Sequence, residues 1–309
     1  MPHVARLLAV LALVIAAGVA ASACGGGATQ RPAAGDGGGA ADAAEAAAQL
    51  DAPGFTLDGS APDDVLAPPL DTTPPPPLPL GPPGDWRLIF ADEFDGAALD
   101  EATWNRAYPW SPTVIHNELQ YYAPDDVIVD GSGVLKLKAE RRSLGGQAYT
   151  SGVVASWGKF QLTYGAVEAR LKLPAGAGLW PSFWLVPRVG AAPPEIDVMM
   201  ASGLDPHSVV MNFTWGADPL SSGTWHTDPA VDFTADFHVF TMTWSATELI
   251  WYLDGVERKR YSTAANVPQA AMYLILSLAV GSGGFTGTPD ATTPFPSYLT
   301  VDYVRAWQR

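Results

Sequence analysis

Cysteine is almost missing from this chain of 309 residues. Cys24 is the only one, so no disulfide can form within the chain, and neither a second thiol nor a nearby histidine supports a catalytic or metal-binding thiol. Long apolar runs are missing as well: the run at residues 7–19 is shorter than the roughly 20 residues of a membrane-spanning helix, and no later segment is longer. The sequence therefore predicts a protein that is not integral to a membrane.

Basic residues are scarce. The chain has 17 Lys and Arg against 32 Asp and Glu, and its net charge is −15. Affinity for nucleic acid depends on Lys and Arg that neutralise phosphates, so we expect no nucleic-acid partner, whereas a neutral ligand suits an acidic protein. The five His residues are scattered without metal-ligand spacing, which argues against a transition-metal site.

The N-terminus has the features of an export signal. Arg6 precedes the apolar run, and small residues follow it up to Cys24, so we interpret residues 1–23 as a signal peptide. Residues 21–24 resemble a bacterial lipoprotein processing site, although Ala21 stands where Leu is usual. We therefore predict a lipidated Cys24 as the only membrane contact of an exported cell-envelope protein. The alternative is ordinary cleavage near Ala23 and an extracellular protein.

Residues 24–83 lack tryptophan and are rich first in Gly and Ala and then in Pro. Too few large apolar groups are present to offset chain entropy, which predicts a disordered tether. All eleven Trp residues lie between Trp86 and Trp307. This concentration indicates one globular domain over residues 84–309, and we expect it to be a monomer.

Alternation of apolar and polar residues predicts β-strands in this domain. In residues 134–140 and 166–172 every second side chain is apolar, as in half-buried antiparallel strands. Residues 249–253 and 256–261 flank Asp254-Gly255, which predicts a hairpin. Further strands are expected at residues 237–245, 273–278 and 299–307. Without long helical periodicity after Gly84, many short strands imply a sandwich or barrel.

Two carboxylates stand out on one predicted strand. Side chains alternate along a strand, so Glu195 and Asp197 should point the same way, with Ile196 buried behind them. Paired carboxylates near aromatic residues suit a glycosidase, in which one attacks the sugar and a second acid protonates the leaving oxygen. Glu-x-Asp alone is a weak signal, and without context two exposed acids on an edge strand are the better interpretation.

Several further segments, taken in order, resemble glycoside hydrolase family 16. The similar segments are residues 90–96 with Trp104, and residues 117–122, 164–170, 178–184, 194–200 and 301–305. The resemblance implies an all-β jelly roll of two curved antiparallel sheets, concanavalin A-like, with an open cleft for β-glucans or related polysaccharides. It also implies a laminarinase-like or β-glucanase-like activity that needs no catalytic cofactor.

The resemblance assigns roles to the paired carboxylates and exposes a loss. Glu195 matches the family nucleophile and Asp197 the residue that orients it, but Met200 occupies the position of the general acid/base glutamate. In the shorter variant of the motif that position would be Met199, which is no better as a proton donor. Thr214 stands where many members have a cleft-facing His. Glu118, His207 and Asp205 are the substitute acids that we considered.

Binding and metal residues also follow from the resemblance. Trp180 and Trp184 match the cleft floor and Asn117 a sugar contact, although Trp184 equally suits a core position. Trp110, Trp215 and Trp225 are candidates for the cleft ends. A structural calcium on the convex side would take oxygens of Glu93, Asp302 and the carbonyl near Gly131.

Three hypotheses remain open from the sequence. The first is an exported family 16 hydrolase acting on β-1,3 or β-1,3-1,4 glucan, with hydrolysis impaired by Met200. The second is a carbohydrate-binding protein of the same fold that has lost turnover. The third is a structural envelope protein held by Cys24.

Overall fold

The computed structural model describes residues 77–110, 118–187 and 193–309. The predicted signal peptide, most of the tether, Cys24 and Asn117 lie outside the described residues. No helix in the described part of the chain is long and apolar enough to cross a membrane. The described residues form sixteen strands: β1 (Arg87–Asp92), β2 (Gln120–Tyr122), β3 (Val127–Val129), β4 (Leu135–Ala139), β5 (Tyr149–Ser151), β6 (Val153–Ala155), β7 (Gly165–Lys172), β8 (Leu179–Pro187), β9 (Glu195–Met200), β10 (Ser208–Trp215), β11 (Leu220–Thr227), β12 (His238–Trp244), β13 (Leu249–Leu253), β14 (Val256–Tyr261), β15 (Met272–Val280) and β16 (Ser297–Gln308).

Two antiparallel sheets make up most of the domain. The larger has eight strands in the order β14-β13-β12-β7-β16-β4-β3, with β1 also paired to β16. The smaller has six strands in the order β11-β10-β9-β8-β15-β6, and β2 and β5 form a separate parallel pair. The predicted all-β architecture of two antiparallel sheets is confirmed. Non-consecutive neighbours in both sheets require long crossovers, so the core forms from residues far apart in sequence.

Each strand predicted from alternation is present. β4 alternates buried Leu135 and Leu137 with half-buried lysines, as the pattern predicted. The hairpin of β13 and β14 turns at Asp254 and Gly255, whose φ angles of 49° and 79° lie in the left-handed region that glycine and aspartate tolerate best. Short-range pattern and turn chemistry therefore suffice for these elements.

One apolar core lies between the two sheets. It includes Phe183, Ile196 and Phe213 from the six-stranded sheet and Leu171 and Phe240 from the eight-stranded sheet. Strand residues that alternate with these point away from the core. Ser182, Trp184, Glu195, Asp197 and Asn212 do so on the six-stranded sheet, and we call this side the front face. The side of the eight-stranded sheet turned away from the core is the rear face, marked by Glu168, Thr241 and Tyr303.

Residues 77–83, here called the strap, lie against the rear face. Trp307 Nε1 donates to the carbonyl of Pro77 at 2.7 Å, and Arg309 Nη2 donates to that of Pro83 at 2.7 Å. Between them the N–H of Leu80 donates to Oε2 of Glu168 at 2.7 Å. The sequence prediction assigned residues 77–83 to the tether, whereas their contacts join them to the domain. The contacts use backbone groups, which composition does not reveal.

Candidate active site

A β-bulge in β9 decides which side chains share the front face. On the β8 side Asp197 pairs with Trp184 and Met199 with Phe183, and on the β10 side Asp197 pairs with Asn212 and Met200 with Val210. Val198 is therefore an extra residue in both registers. Val198 and Met199 pack into the core cluster, whereas Met200 lies outside it. The bulge thus aligns Met200 with Glu195 and Asp197 on the front face.

Glu195 and Asp197 point the same way, as predicted, and Ile196 is buried behind them. Their exposed fractions are 6% and 4%, so both carboxylates are buried although they face away from the core. Asn212 Nδ2 donates to Asp197 Oδ2 at 2.9 Å and to Thr214 Oγ1 at 3.2 Å. Thr214 pairs with Glu195 across the β9–β10 ladder. The predicted site residues of these two strands therefore form one cluster.

Burial perturbs both carboxylates. It raises the pKa of Glu195 well above its ordinary value, and the negative charge of Asp197 adds to this effect. Burial also raises the pKa of Asp197, while the hydrogen bond from Asn212 and the charge of Lys259 oppose the rise. Two buried carboxylates side by side favour a state in which they share a proton. Such perturbation is typical of catalytic and ligand-binding sites.

Buried polar atoms without a protein partner concentrate on the front face. Four buried side-chain atoms in the described residues lack a hydrogen-bond partner, and three of them are Glu195 Oε2, Asn212 Oδ1 and Trp180 Nε1. All three belong to the front-face strands β8, β9 and β10. Buried polar groups are nearly always paired in folded proteins, so groups without a protein partner on one face are positions where water or a polar ligand completes the bonding.

Aromatic side chains flank the carboxylates. Trp184 is 8% exposed and lies beside Asp197 on the front face, with Nε1 donating to Ser277 Oγ at 3.3 Å. Its ring is 5.8 Å from Tyr108, which stacks on Trp110 at 4.9 Å. Trp184 is thus buried, as its alternative interpretation as a core residue predicted, and it also lies on the front face, where its role in binding stays a prediction. Tyr108 was not expected here because nothing in its local sequence marks it.

A second aromatic group lies nearer the end of the front face. Trp180 makes an edge contact with Phe285 at 6.0 Å, and Phe285 makes one with Trp225 at 5.3 Å. Trp225 is 38% exposed, so this group presents rings to solvent. Trp215, by contrast, stacks on core residue Phe213 at 5.1 Å and serves packing. Phe285 was missed because it follows the Gly-rich segment 281–284, which has no strand periodicity.

The substitute acids considered from sequence lie elsewhere. Leu119 N donates to Val280 O at 2.8 Å, which places Glu118 beside β15, with β15 and β8 between it and β9. Burial raises the pKa of Glu118 to about 7, and the carboxylate contacts Gln120 and Tyr122. Asp205 and His207 lie on the turn between β9 and β10, where His207 Nδ1 bonds Val231 O at 2.6 Å. None of the three shares the row of Glu195, Asp197 and Met200.

The residues predicted to hold calcium have other partners. Arg305 pairs with Glu93 through two bonds of 2.7 and 2.8 Å, and Arg170 Nη1 is 2.6 Å from Asp302 Oδ2. Gly131 has a φ of 80° and lies on the same loop as Gly133. A Cβ at Gly133 would be 3.5 Å from Asp95 Oδ1, so this loop lies beside the loop that follows Glu93. Both carboxylates are committed to arginine, so these side chains do not fit a site with two free acidic ligands. Calcium stays a prediction of the resemblance.

The chain has clear relatives. The sequence model of glycosyl hydrolases family 16 matches residues 117–305. Glucan endo-1,3-beta-glucosidase A1 of Niallia circulans is 35% identical over 263 residues, which cover 72% of this chain and 38% of that protein. Beta-glucanase of Rhodothermus marinus is 32% identical over 256 residues, covering 72% of this chain and 85% of that protein. The laminarinase catalytic domain of Thermotoga maritima MSB8 is 31% identical with a TM-score of 0.64, covering 73% of this chain and 99% of that one.

These matches agree in extent with the fold. The family match at residues 117–305 lies within the β-sandwich, and the chain spans only 38% to 51% of the first three curated relatives. The family match includes β9 with its paired carboxylates and both neighbouring strands. On this sequence similarity and this fold, the chain belongs to glycosyl hydrolases family 16.

Proposed function

We propose that the chain acts on a neutral β-glucan of the laminarin type, with β-1,3 or mixed β-1,3-1,4 linkages, and that its hydrolysis is impaired. Glu195 is the nucleophile, Asp197 orients it, and Met200 occupies the position of the general acid/base. One observation carries the proposal: the bulge at Val198 sets Met200 in the row of Glu195 and Asp197. Asn117, Trp180, Trp184 and Thr214 contribute to substrate binding.

The chemistry explains why Met200 matters. In a retaining glycosidase the nucleophile attacks the anomeric carbon while a second carboxylic acid protonates the departing oxygen, and that group then activates water. A thioether has no proton to give. General acid–base help is worth roughly 10² to 10⁴ in rate, or about 3 to 5 kcal/mol of barrier, so a glucan with a poor leaving group should react slowly.

The relatives support the substrate class. Their names describe a glucan endo-1,3-beta-glucosidase, a beta-glucanase and a laminarinase. Two front-face aromatic groups and three unpaired polar atoms suit a polysaccharide, because rings stack on the apolar faces of sugars while polar groups fix the hydroxyls.

A second function is favoured by the same substitution. With Thr214 opposite Glu195 and Met200 at the far end of the row, the row retains binding groups without a proton donor, which suits a carbohydrate-binding protein that does not turn over its ligand. The two functions make different demands on Glu195, since a nucleophile must form a covalent bond and a binding surface need not.

An assay with an activated aryl β-laminaribioside distinguishes the two functions. Its leaving group needs no protonation, and azide can replace the water that an acid/base residue would activate. We expect azide to accelerate aryl release at least about tenfold and to give a β-glycosyl azide. Glu195→Gln should abolish this rescue. Laminarin binding without azide rescue would establish the binding function, and absence of both would refute the assignment to β-glucan.

We also propose that the mature protein is an exported monomer tethered through a lipid on Cys24, with residues 24–76 as the spacer. Several acyl chains on one cysteine anchor a protein firmly, whereas a single chain does not. Expression of the whole chain should place it in the membrane fraction, and Cys24→Ser should release it. A Cys24→Ser protein that stays with the membrane would refute the anchor.

A further inference from the structure

Lys259 of β14 is a lysine buried between the two sheets. Its exposed fraction is 6%, and Nζ donates to the carbonyl oxygen of Met211 at 3.1 Å and to that of Ser222. Nζ also lies 4.7 Å from the ring centroid of Trp251. These neighbours are neutral, so they hold an ammonium group without cancelling its charge. Burying a cation in this way is costly and needs a compensating interaction.

The residues that contact Lys259 connect it to the carboxylate pair of Glu195 and Asp197. Met211 precedes Asn212, whose Nδ2 donates to Asp197 Oδ2 at 2.9 Å. Trp251, beneath the ammonium, donates through Nε1 to the backbone carbonyl of Asp197 at 2.8 Å. Lys259 therefore lies under β9 and β10 on the core side, while the carboxylates of Glu195 and Asp197 lie on the front face of the same strands.

The electrostatics agree with this geometry. Burial lowers the pKa of Lys259 to about 7, and the charge of Asp197 opposes that fall. Conversely, the charge of Lys259 lowers the pKa of Asp197 against the effect of burial. The contacts from β10, β11 and β13 are Met211, Ser222 and Trp251, and none of these side chains titrates in this range. The neighbouring Arg258 and Arg260 on β14 are exposed, and Arg260 pairs with Glu248 and Glu257.

We propose that Lys259 is a positioning residue of the site: its buried ammonium stabilises negative charge on the Glu195–Asp197 pair from the opposite side of strands β9 and β10. This rests on the proposed role of the two carboxylates. Although Met200 replaces one carboxylic acid, Glu195 must still be ionised to attack a sugar or to accept hydrogen bonds from its hydroxyl groups. Lys259 supplies positive charge from the side that the ligand cannot reach.

Carboxyl-carbon NMR titration of the whole protein tests the proposal. Lys259→Gln keeps an N–H donor for the two carbonyls but removes the charge, and Lys259→Met removes both. Loss of a nearby opposite charge should raise the titration midpoint of the pair by about one pH unit in either variant. Arg258→Gln is the matched control, since it removes one charge from the exposed side of the same strand, and its midpoint should not move.

The reciprocal measurement leaves the core intact. In Asp197→Asn the pKa of the Lys259 ammonium, followed by nitrogen NMR, should fall further below that of the parent protein. An unchanged carboxyl midpoint in folded Lys259→Gln, or an unchanged Lys259 in Asp197→Asn, would overturn the proposal. Neither readout depends on turnover, so this test can fail while the proposed function stands, and the reverse also holds.

Discussion

Met200 lies directly opposite Ser182 in the pairing of β9 with β8, whereas its neighbour Met199 lies opposite Phe183. Ser182 belongs to the front face and Phe183 to the core. The one extra residue, Val198, therefore determines which of two adjacent methionines stands beside the carboxylates. A glutamate at each position should consequently have opposite effects.

Met200→Glu should restore hydrolysis. A carboxyl group at this position would share the face of Glu195 and could protonate the leaving oxygen, so reducing-sugar release from laminarin should rise by roughly 10² or more. The matched control is Met199→Glu, which places the same group in the apolar core. The free energy of unfolding of that variant should fall by several kcal/mol, and its activity should not rise. Equal gains from both variants would contradict the assigned register.

Glu195→Gln should stabilise the protein at high pH. Because burial raises the pKa of Glu195, the folded protein binds this proton more tightly than the unfolded chain does. The free energy of unfolding therefore falls as pH rises above about 4.5, and the total loss is about 1.4 kcal/mol for each unit by which the pKa is raised. Gln is neutral throughout, so the variant should be more stable than the parent at pH 8 and similar at pH 4. Denaturant unfolding at both values measures this. A destabilised Glu195→Gln at pH 8 would refute the account.

Trp225→Ala should weaken binding of glucan. Loss of one stacking ring typically costs about 0.5–1.5 kcal/mol, so the laminarin Kd should rise about two- to tenfold in calorimetry. Tyr298→Ala is the control because Tyr298 is equally exposed at 38% but extends from β16 in the eight-stranded sheet. Similar weakening in both variants would argue against a specific role for the Trp180–Phe285–Trp225 group.

Leu80→Pro should destabilise the domain. It removes the N–H that donates to Glu168, together with the leucine side chain beside Gly255, and a hydrogen bond to a carboxylate contributes roughly 1.5–3 kcal/mol. Thr241 and Tyr303 would still donate to the same carboxylate. Leu78→Pro, at a position 63% exposed, should leave the Tm unchanged. If the two variants melt alike, the strap contributes nothing measurable.

Sequence patterns predicted the strands, turns and strand faces that local interactions determine. Strand β4 and the Asp254-Gly255 turn follow from alternation and turn chemistry, and Glu195 and Asp197 were placed on one face by the same logic. Strict alternation would also have put Met199 with them, and only the family resemblance indicated Met200. A bulge changes the register without changing the composition, so pattern alone does not reveal it.

The features that the sequence did not predict depend on tertiary contacts. Lys259 lies among exposed basic residues in sequence, and its burial arises where the pairing of β13 and β14 shifts between Trp251 and Tyr252. The strap looks like linker because its stabilising groups, Glu168 and Trp307, are far along the chain and bond only its backbone. Phe285 meets Trp180 and Trp225 only after the fold has formed.

The strap has a consequence for orientation. Its contacts with Glu168, Trp307 and Arg309 hold residues 77–83 on the rear face, and the sandwich core separates that face from Glu195 and Asp197. The described chain therefore enters the sandwich on the side opposite the carboxylates, and residues 77–83 leave the front face uncovered.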